Sequence, residues 1–310
     1  MPDNAIEITD LKKTYAGTKK APAKEALKGV DLTIPSGSMF ALLGPNGAGK
    51  STIINIMAGL VIKSSGNVNI WGHDIDQNPR NARSNIGVVN QEVTFDPFFT
   101  PAQTLDIHAG FYGVPKNKRR TKEILELVGL SDKADAHARS LSGGMRRRLM
   151  VAKAMVHAPP ILVLDEPTAG VDVELRRQLW QNVKELNRQG TTILLTTHYL
   201  EEAQELCDQI AIINHGQVVA NENTETLLSR IETKAILFRL GSELTEVPDA
   251  LSHLNAQIDT KKRLKITYTP KDQSVDEIIA LIHGAGHTIN DISTDESDLE
   301  DVFLQLTQSG

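Results

Sequence analysis

The sequence predicts an α/β fold built on a buried parallel sheet, because two apolar runs of strand length each lead into a cluster of polar residues. Met39–Leu43 is followed at once by a glycine-rich loop that ends in Lys50. Residues 161–164, Ile-Leu-Val-Leu, are followed by the adjacent carboxylates Asp165 and Glu166. Continuous apolar runs are typical of parallel strands, and open α/β sheets place their functional groups at the carboxyl ends of such strands.

Composition narrows the class of protein. The chain has 310 residues, 40% of them hydrophobic, which suits one large domain with a small one, or two domains of moderate size. The net charge of −6 argues against nucleic acid as a partner. The single cysteine, Cys207, excludes a disulfide framework and fits a reducing cytoplasm. No signal peptide is apparent, and no apolar run approaches the ~20 residues of a membrane helix, so we expect any membrane role to come through another chain.

The first 40 residues are predicted to be rich in β-strand. Residues 5–8 and 30–34 alternate apolar and polar side chains, and a turn follows at residues 35–37. Tyr15 lies between these strands beside a polar segment. Local sequence favours a surface tyrosine packed on a strand over a ligand contact.

The glycine-rich loop fits the phosphate-binding pattern G-x-x-x-x-G-K-[ST], with a strand before it and an amphipathic helix after it. Glycines allow backbone N–H groups to turn toward phosphate oxygens, and the helix N-terminus adds partial positive charge. Lys50 can reach the β- and γ-phosphates, and the Ser51 hydroxyl can ligate Mg²⁺. The predicted nucleotide-binding residues are Gly44, Pro45, Asn46, Gly47, Ala48, Gly49, Lys50, Ser51 and Thr52.

Residues 92–158 are predicted to form a helical lobe with helices near 105–112 and 122–128, followed by a third from about Gly144 to His157. Phe95, Phe98 and Phe99 are expected to pack inside this lobe, with an apolar patch that docks a partner as the alternative. The arginines at 146–148 point in three directions on a helix and are expected to be mostly solvated or ion-paired.

The two carboxylates and the phosphate loop together predict nucleoside triphosphate hydrolysis. Asp165 would orient Mg²⁺, and Glu166 could polarise the attacking water. His198 ends a neighbouring predicted strand at residues 191–197 and could contact the γ-phosphate. Gln91 directly follows a predicted strand near 86–89 and gains interest only if that strand lies beside the phosphate loop.

These motifs, in this order, resemble the nucleotide-binding subunit of ATP-binding cassette (ABC) transporters over about residues 5–225. Residues 44–52 resemble the Walker A loop, and residues 161–166 the Walker B strand. Residues 169–172, ending in Asp172, resemble the D-loop, and His198 the switch histidine. The resemblance implies a P-loop NTPase core with an antiparallel β subdomain and a helical subdomain. It also implies ATP and Mg²⁺ as cofactors.

The resemblance assigns further roles. Tyr15 would stack on adenine, and Gln91 would contact Mg²⁺ and the attacking water. The signature turn, Leu141, Ser142, Gly143 and Gly144, would close over the γ-phosphate held by a second ATPase subunit, expected to be an identical chain. Met145 stands where the signature usually has Gln, and Asn90 where Pro often precedes the glutamine. Neither departure touches Glu166, so we expect an active ATPase.

Three segments are most similar to ATPase subunits of bacterial type-2 ABC exporters. They are the D-loop sequence, LSGGM followed by three arginines, and the Thr-Thr-His-Tyr-Leu-Glu-Glu-Ala run at residues 196–203. That class implies a separate membrane permease and a location on the cytoplasmic face of the inner membrane. Residues 1–229 would form the ATPase domain, and residues 230–310 a small α+β accessory domain.

Three alternatives remain open from the sequence. An importer ATPase of the sugar type would often carry a larger β-barrel tail. A soluble ABC protein of translation or DNA maintenance would carry two cassettes or a long coiled coil, and the chain has one cassette and no heptad run. A P-loop kinase would leave the signature turn unexplained.

Overall fold

The computed structural model describes residues 2–17, 22–91, 96–230, 234–242, 244, 246–248, 251–252, 254–269, 271–295 and 299–308. The chain forms two compact units, Met1–Thr224 and Glu225–Gly310. No described helix is both long enough and apolar enough to cross a membrane.

The first unit alternates strands and helices along the chain. Its strands are β1 (Asn4–Tyr15), β2 (Lys24–Pro35), β3 (Met39–Leu43), β4 (Ser65–Ile70), β5 (His73–Asp74), β6 (Ile86–Val89), β7 (Ile161–Asp165), β8 (Thr192–Thr196), β9 (Gln209–Asn214) and β10 (Gln217–Asn223). Its helices are α1 (Lys50–Met57), α2 (Pro79–Ser84), α3 (Pro101–Phe111), α4 (Thr121–Leu127), α5 (Gly143–Ala154), α6 (Val173–Arg188) and α7 (Leu200–Leu206).

A six-stranded sheet in the order β10-β9-β3-β8-β7-β6 forms the centre of this unit. The pairs from β9 through β6 are parallel, and only the edge hairpin β9–β10 is antiparallel. Both β3 and β7 are buried along their whole length, which explains why β3 and the first four residues of β7 are continuously apolar. The carboxyl ends of β3, β8, β7 and β6 therefore meet at one edge of the sheet, and the predicted α/β core is confirmed.

A second sheet of the first unit is antiparallel, with the strand order β2-β1-β4-β5. Leu11 and Leu27 from this sheet share one buried apolar core with Ile53 and Ile54 of α1. The antiparallel β subdomain is thus packed directly behind the helix that follows the glycine-rich loop.

Helices α3, α4 and α5 form the helical lobe around a separate core that includes Leu105, Leu125 and Leu149. Helix α5 begins at Gly143, one residue before the expected start, and ends at Ala154, three residues before the expected end. The Ser142 hydroxyl caps it by accepting from the Met145 N–H at 3.3 Å.

The expectation that the phenylalanines pack inside the lobe is wrong for the two that are described. Phe98 is 72% exposed and Phe99 38% exposed, and neither belongs to the lobe core. Phe95 lies outside the described residues. The lobe fills its core with aliphatic side chains, which leaves these rings at the surface.

The second unit contains α8 (Thr224–Leu228), whose first residue belongs to the first unit, then β11 (Lys234–Leu240), β12 (Asn255–Ile258), β13 (Leu264–Tyr268), α9 (Val275–Gly284), β14 (Ile289–Asp295) and α10 (Leu299–Gln308). The strands form one antiparallel sheet in the order β12-β13-β11-β14. Phe238 and Ile266 of the sheet pack with Ile278 and Ile282 of α9 in a single core. The predicted mixture of strands and helices in this region is confirmed.

Candidate functional site

The glycine-rich loop joins β3 to α1 in a conformation that two of its glycines make possible. A Cβ atom on Gly44 would lie 2.2 Å from the Ile213 carbonyl oxygen. Gly49 has φ +119°, and a Cβ there would lie 2.7 Å from Leu27 Cδ2. Side chains at either position would clash with β9 or β2, so close packing requires glycine at both.

Lys50 is the first residue of α1 and is buried, with 7% of its surface exposed. Its Nζ donates to the Gly44 carbonyl at 2.6 Å and to the Pro45 carbonyl at 3.3 Å. Burial lowers the pKa of Lys50, and the charges of Glu166 and Asp165 oppose that shift. The ammonium group thus lies inside the loop and is influenced by the two carboxylates at the end of β7.

Glu166 lies at the centre of the polar cluster. Its Oε2 accepts from Gln91 Nε2 at 2.5 Å, and its Oε1 lies 2.5 Å from His198 Nε2. Glu166 is 8% exposed, whereas His198 is about half exposed. Two predicted site residues from two different loops therefore converge on the carboxylate of a third.

Gln91 lies at the site for a different reason from the one considered in the sequence, which was that its strand might lie beside the phosphate loop. Its strand, β6, is at the sheet edge and pairs with β7, not with β3 of the glycine-rich loop. Gln91 enters the site because the carboxyl end of β6 lies beside Glu166.

Asp165 is buried beneath Glu166 and is held by the neighbouring strand. Its Oδ1 accepts from the Thr196 hydroxyl at 2.5 Å. The Glu166 N–H donates to both the carbonyl and the hydroxyl oxygen of Thr196, each at 3.1 Å. The end of β8 thus fixes the position of both carboxylates.

These groups surround an open cavity of about 390 Å³. Tyr15 forms part of its wall, and the Tyr15 hydroxyl lies 3.5 Å from Thr52 Oγ1. Glycine-rich-loop residues, Glu166, His198 and Gln91 share this cavity. The described residues that line it are Tyr15, Lys24, Ala26, Asn46, Gly47, Ala48, Gly49, Lys50, Ser51, Thr52, Gln91, Glu166 and His198.

The structure does not bring every predicted site residue to this cavity. Leu141 is buried in the helical-lobe core, whereas Ser142 and Gly143 are exposed and Gly144 is half-buried at the start of α5. Asp172 is exposed immediately before α6. Among the described cavity-lining residues, none comes from the signature turn or from residues 169–172.

Two buried charged residues beside the site were missed from the sequence. The expectation of a mostly solvated arginine triplet is wrong for Arg147, which is 4% exposed and donates to backbone carbonyls beside the site. Glu202 of α7 is also buried, and accepts from Thr168 Oγ1 at 3.0 Å and Thr197 Oγ1 at 2.9 Å. The signal for Glu202 was the acidic pair that follows His198, since a carboxylate in the first turn of a helix can accept from nearby hydroxyls.

Comparison with known proteins identifies the family to which the chain belongs. The family model described as ABC transporter matches residues 27–169. The linearmycin resistance ATP-binding protein LnrL of Bacillus subtilis (strain 168) is 35% identical over 310 residues, 97% of this chain and 98% of LnrL. The Nod factor export ATP-binding protein I of Cupriavidus metallidurans (strain CH34) is 36% identical, over 90% of this chain and 91% of that protein.

The fold has solved counterparts as well. A dimeric ATP-binding cassette in a post-hydrolysis state, bound to ADP and Pi, is 28% identical with a TM-score of 0.64. That match covers 71% of this chain and 98% of the solved chain. The fold, the site and these similarities together define an ATP-binding and ATP-hydrolysing subunit. The chain belongs to the ABC transporter family.

Proposed function

We propose that ATP binds in the 390 Å³ cavity with its phosphates on residues 44–52 and that Glu166 is the general base for its hydrolysis. The observation that carries this proposal is the contact of the Glu166 carboxylate with both Gln91 and His198. Gln91 would orient the attacking water, and His198 would contact the γ-phosphate. Tyr15, on the cavity wall, would stack on adenine.

The residues of this site fit Mg²⁺. Magnesium in nucleotide sites takes oxygen ligands from one or two carboxylates, with phosphates and water filling the rest. Ser51 supplies a hydroxyl, Asp165 a buried carboxylate and Gln91 an amide oxygen. These three residues would hold the ion, which would neutralise charge on the phosphates. No group of three or more His, Cys, Asp or Glu that could bind a metal occurs among the described residues.

A second ATPase subunit would complete the site. The four signature residues stand away from the cavity of their own chain, and a Cβ on Gly143 would meet no atom within 4 Å. This open backbone at the start of α5 is suited to approach by a phosphate held in another subunit. By the same reasoning Asp172, exposed before α6, would lie at the contact between the two chains. A homodimer is the simplest assembly.

The partner of this dimer would be a separate permease, docked on an apolar groove in the helical lobe. Phe98, Phe111 and Ile107 are exposed on one groove of about 510 Å³. Contiguous exposed aromatic side chains mark protein–protein contact sites. In this proposal residues 1–229 would form the ATPase domain, with the helical subdomain at about 92–158, and residues 230–310 would form an accessory domain.

Docking on a permease would hold the chain at the cytoplasmic face of the membrane. The permease would export its substrate. The similarity to resistance and export ATP-binding proteins supports that direction. Co-purification from detergent-solubilised membranes tests the association with a permease. A co-purifying membrane protein that stimulates ATP hydrolysis supports a transporter subunit. Full ATPase activity with no membrane partner would favour a soluble ABC ATPase.

A further inference from the structure

Arg147 is a buried cation that contacts two separate parts of the site. It lies on α5, the helix that begins at the signature turn, and only 4% of its surface is exposed. Burial lowers the pKa of its guanidinium, and the charges of Asp165 and Glu166 oppose that shift. A buried charge is costly unless its hydrogen bonds are satisfied, so the contacts that satisfy Arg147 are informative.

The guanidinium of Arg147 donates to five backbone carbonyls among the described residues. Nε donates to Pro167 at 3.0 Å. Nη1 donates to Asn90 at 3.0 Å and to Gln91 at 2.6 Å. Nη2 donates to Asp165 at 2.9 Å and also to Glu166. A guanidinium has five N–H groups, so all of them are used.

The backbone of Glu166 explains what these hydrogen bonds do. Glu166 has φ +49°, a left-handed conformation that is unfavourable for a residue with a side chain. Such residues persist where their surroundings hold them on several sides. The Glu166 N–H is held by Thr196, and its carbonyl oxygen accepts from Arg147 and from the Ala169 N–H at 3.2 Å. Arg147 is thus one of the restraints on the residue that carries the carboxylate.

We propose that Arg147 is a positioning residue that holds Glu166 and Gln91 in register with each other and with the helix of the signature turn. This inference rests on the proposed roles of Glu166 and Gln91. A lysine could not replace Arg147, because an ammonium has three donors and no planar fork to span β6 and β7. Because Arg147 lies on α5, a movement of the signature turn against the second subunit would be transmitted to Glu166 through the Arg147 side chain.

The neighbouring Arg148 provides a matched control. Its Nη1 also donates to two backbone carbonyls, those of Val128 and Gly129, each at 2.9 Å. Those carbonyls belong to the helical lobe and not to the site. Arg148→Lys therefore removes a similar pair of contacts from the same helix without touching the end of β6 or β7.

The experiment measures ATP affinity, kcat and melting temperature for full-length Arg147→Lys, Arg148→Lys and Glu166→Gln. Misplacement of a reacting group by about 1 Å can cost roughly 100-fold in rate, so we expect a fall in kcat of that order for Arg147→Lys. We expect its equilibrium affinity for ATP to change less than about threefold, because none of the cavity-lining residues is replaced. Arg148→Lys should lose thermal stability with kcat within about twofold of the unaltered chain.

Equal falls in kcat for the two arginine variants, or a fall for Arg147→Lys that follows only its loss of ATP affinity or of folded protein, would overturn the inference. Should Arg147→Lys fail to fold, Arg147→Gln, which keeps two donors, replaces it in the same comparison. Normal hydrolysis by Glu166→Gln would instead reject the proposed base itself. Inactive Glu166→Gln with fully active Arg147→Lys would reject the positioning role alone.

Discussion

Gln91 Nε2 donates to Glu166 Oε2 at 2.5 Å, although the two residues lie 75 positions apart in the chain. The contact exists because β6 and β7 are parallel neighbours whose carboxyl ends lie at one sheet edge. It connects the carboxyl end of β6 with the proposed general base at the end of β7.

The first prediction concerns Glu166→Gln. The amide keeps the size of the side chain but cannot accept a proton, and a general base contributes about 10²–10⁴-fold to a rate. We expect ATP binding to persist, kcat to fall by at least about 100-fold, and an ATP-bound dimer to accumulate in gel filtration. Glu201→Gln, on the exposed face of α7, is the control. Hydrolysis like that of the unaltered chain would remove Glu166 from the mechanism.

The second prediction concerns the exposed rings of the helical lobe. Phe98 is 72% and Phe111 77% exposed, so truncating either ring removes no core packing. We expect Phe98→Ala to weaken permease association by about 1–2 kcal/mol, with basal hydrolysis and melting temperature nearly unchanged. Quantitative pull-down from membranes measures the association.

Val219→Ala provides the control for this experiment, because Val219 is 39% exposed on β10 and lies outside the groove. Undiminished association of Phe98→Ala, combined with a lower melting temperature, would mean that the ring has a packing role.

The third prediction concerns the buried carboxylate of Glu202. It accepts from the hydroxyls of Thr168 and Thr197, and lies 3.4 Å from Arg176 Nε. Glu202→Ala leaves these groups without that partner, so the free energy of unfolding should fall by about 1–3 kcal/mol.

Thermal or denaturant unfolding measures that loss. Glu201→Ala, one residue earlier and exposed, should change the free energy of unfolding by less than about 0.5 kcal/mol. Equal effects at the two positions would show that burial of Glu202 does not contribute.

The fourth prediction concerns the only cysteine. Cys207 is 6% exposed, and burial raises the pKa of its thiol, with Asp208 and Glu202 adding to the shift. Since the thiolate is the reactive form, the native chain should react with a thiol reagent at neutral pH only as it unfolds. One thiol should appear in denaturant, and none in Cys207→Ser. Rapid labelling of the native chain would contradict the buried placement.

Sequence alone was sufficient where the chemistry is local. The phosphate loop and the pair Asp165-Glu166 were identified because short motifs encode both the turn and the adjacent functional groups. The α/β class followed from two runs of apolar residues, 39–43 and 161–164, which belong to strands buried along their whole length. His198 was placed at the end of a neighbouring strand from the sequence, and its contact with the Glu166 carboxylate appears only in the structure.

Tertiary structure decided what depends on the direction of a side chain. The sequence offered three successive arginines, and only the packing of α5 against the sheet selects Arg147 for burial beside Glu166. The sequence also favoured buried phenylalanines, yet aliphatic residues fill the lobe core and leave Phe98 exposed. Local patterns report composition and spacing, whereas burial depends on which distant segments occupy the same space. That is why the motifs were visible in the sequence and their positioning contacts were not.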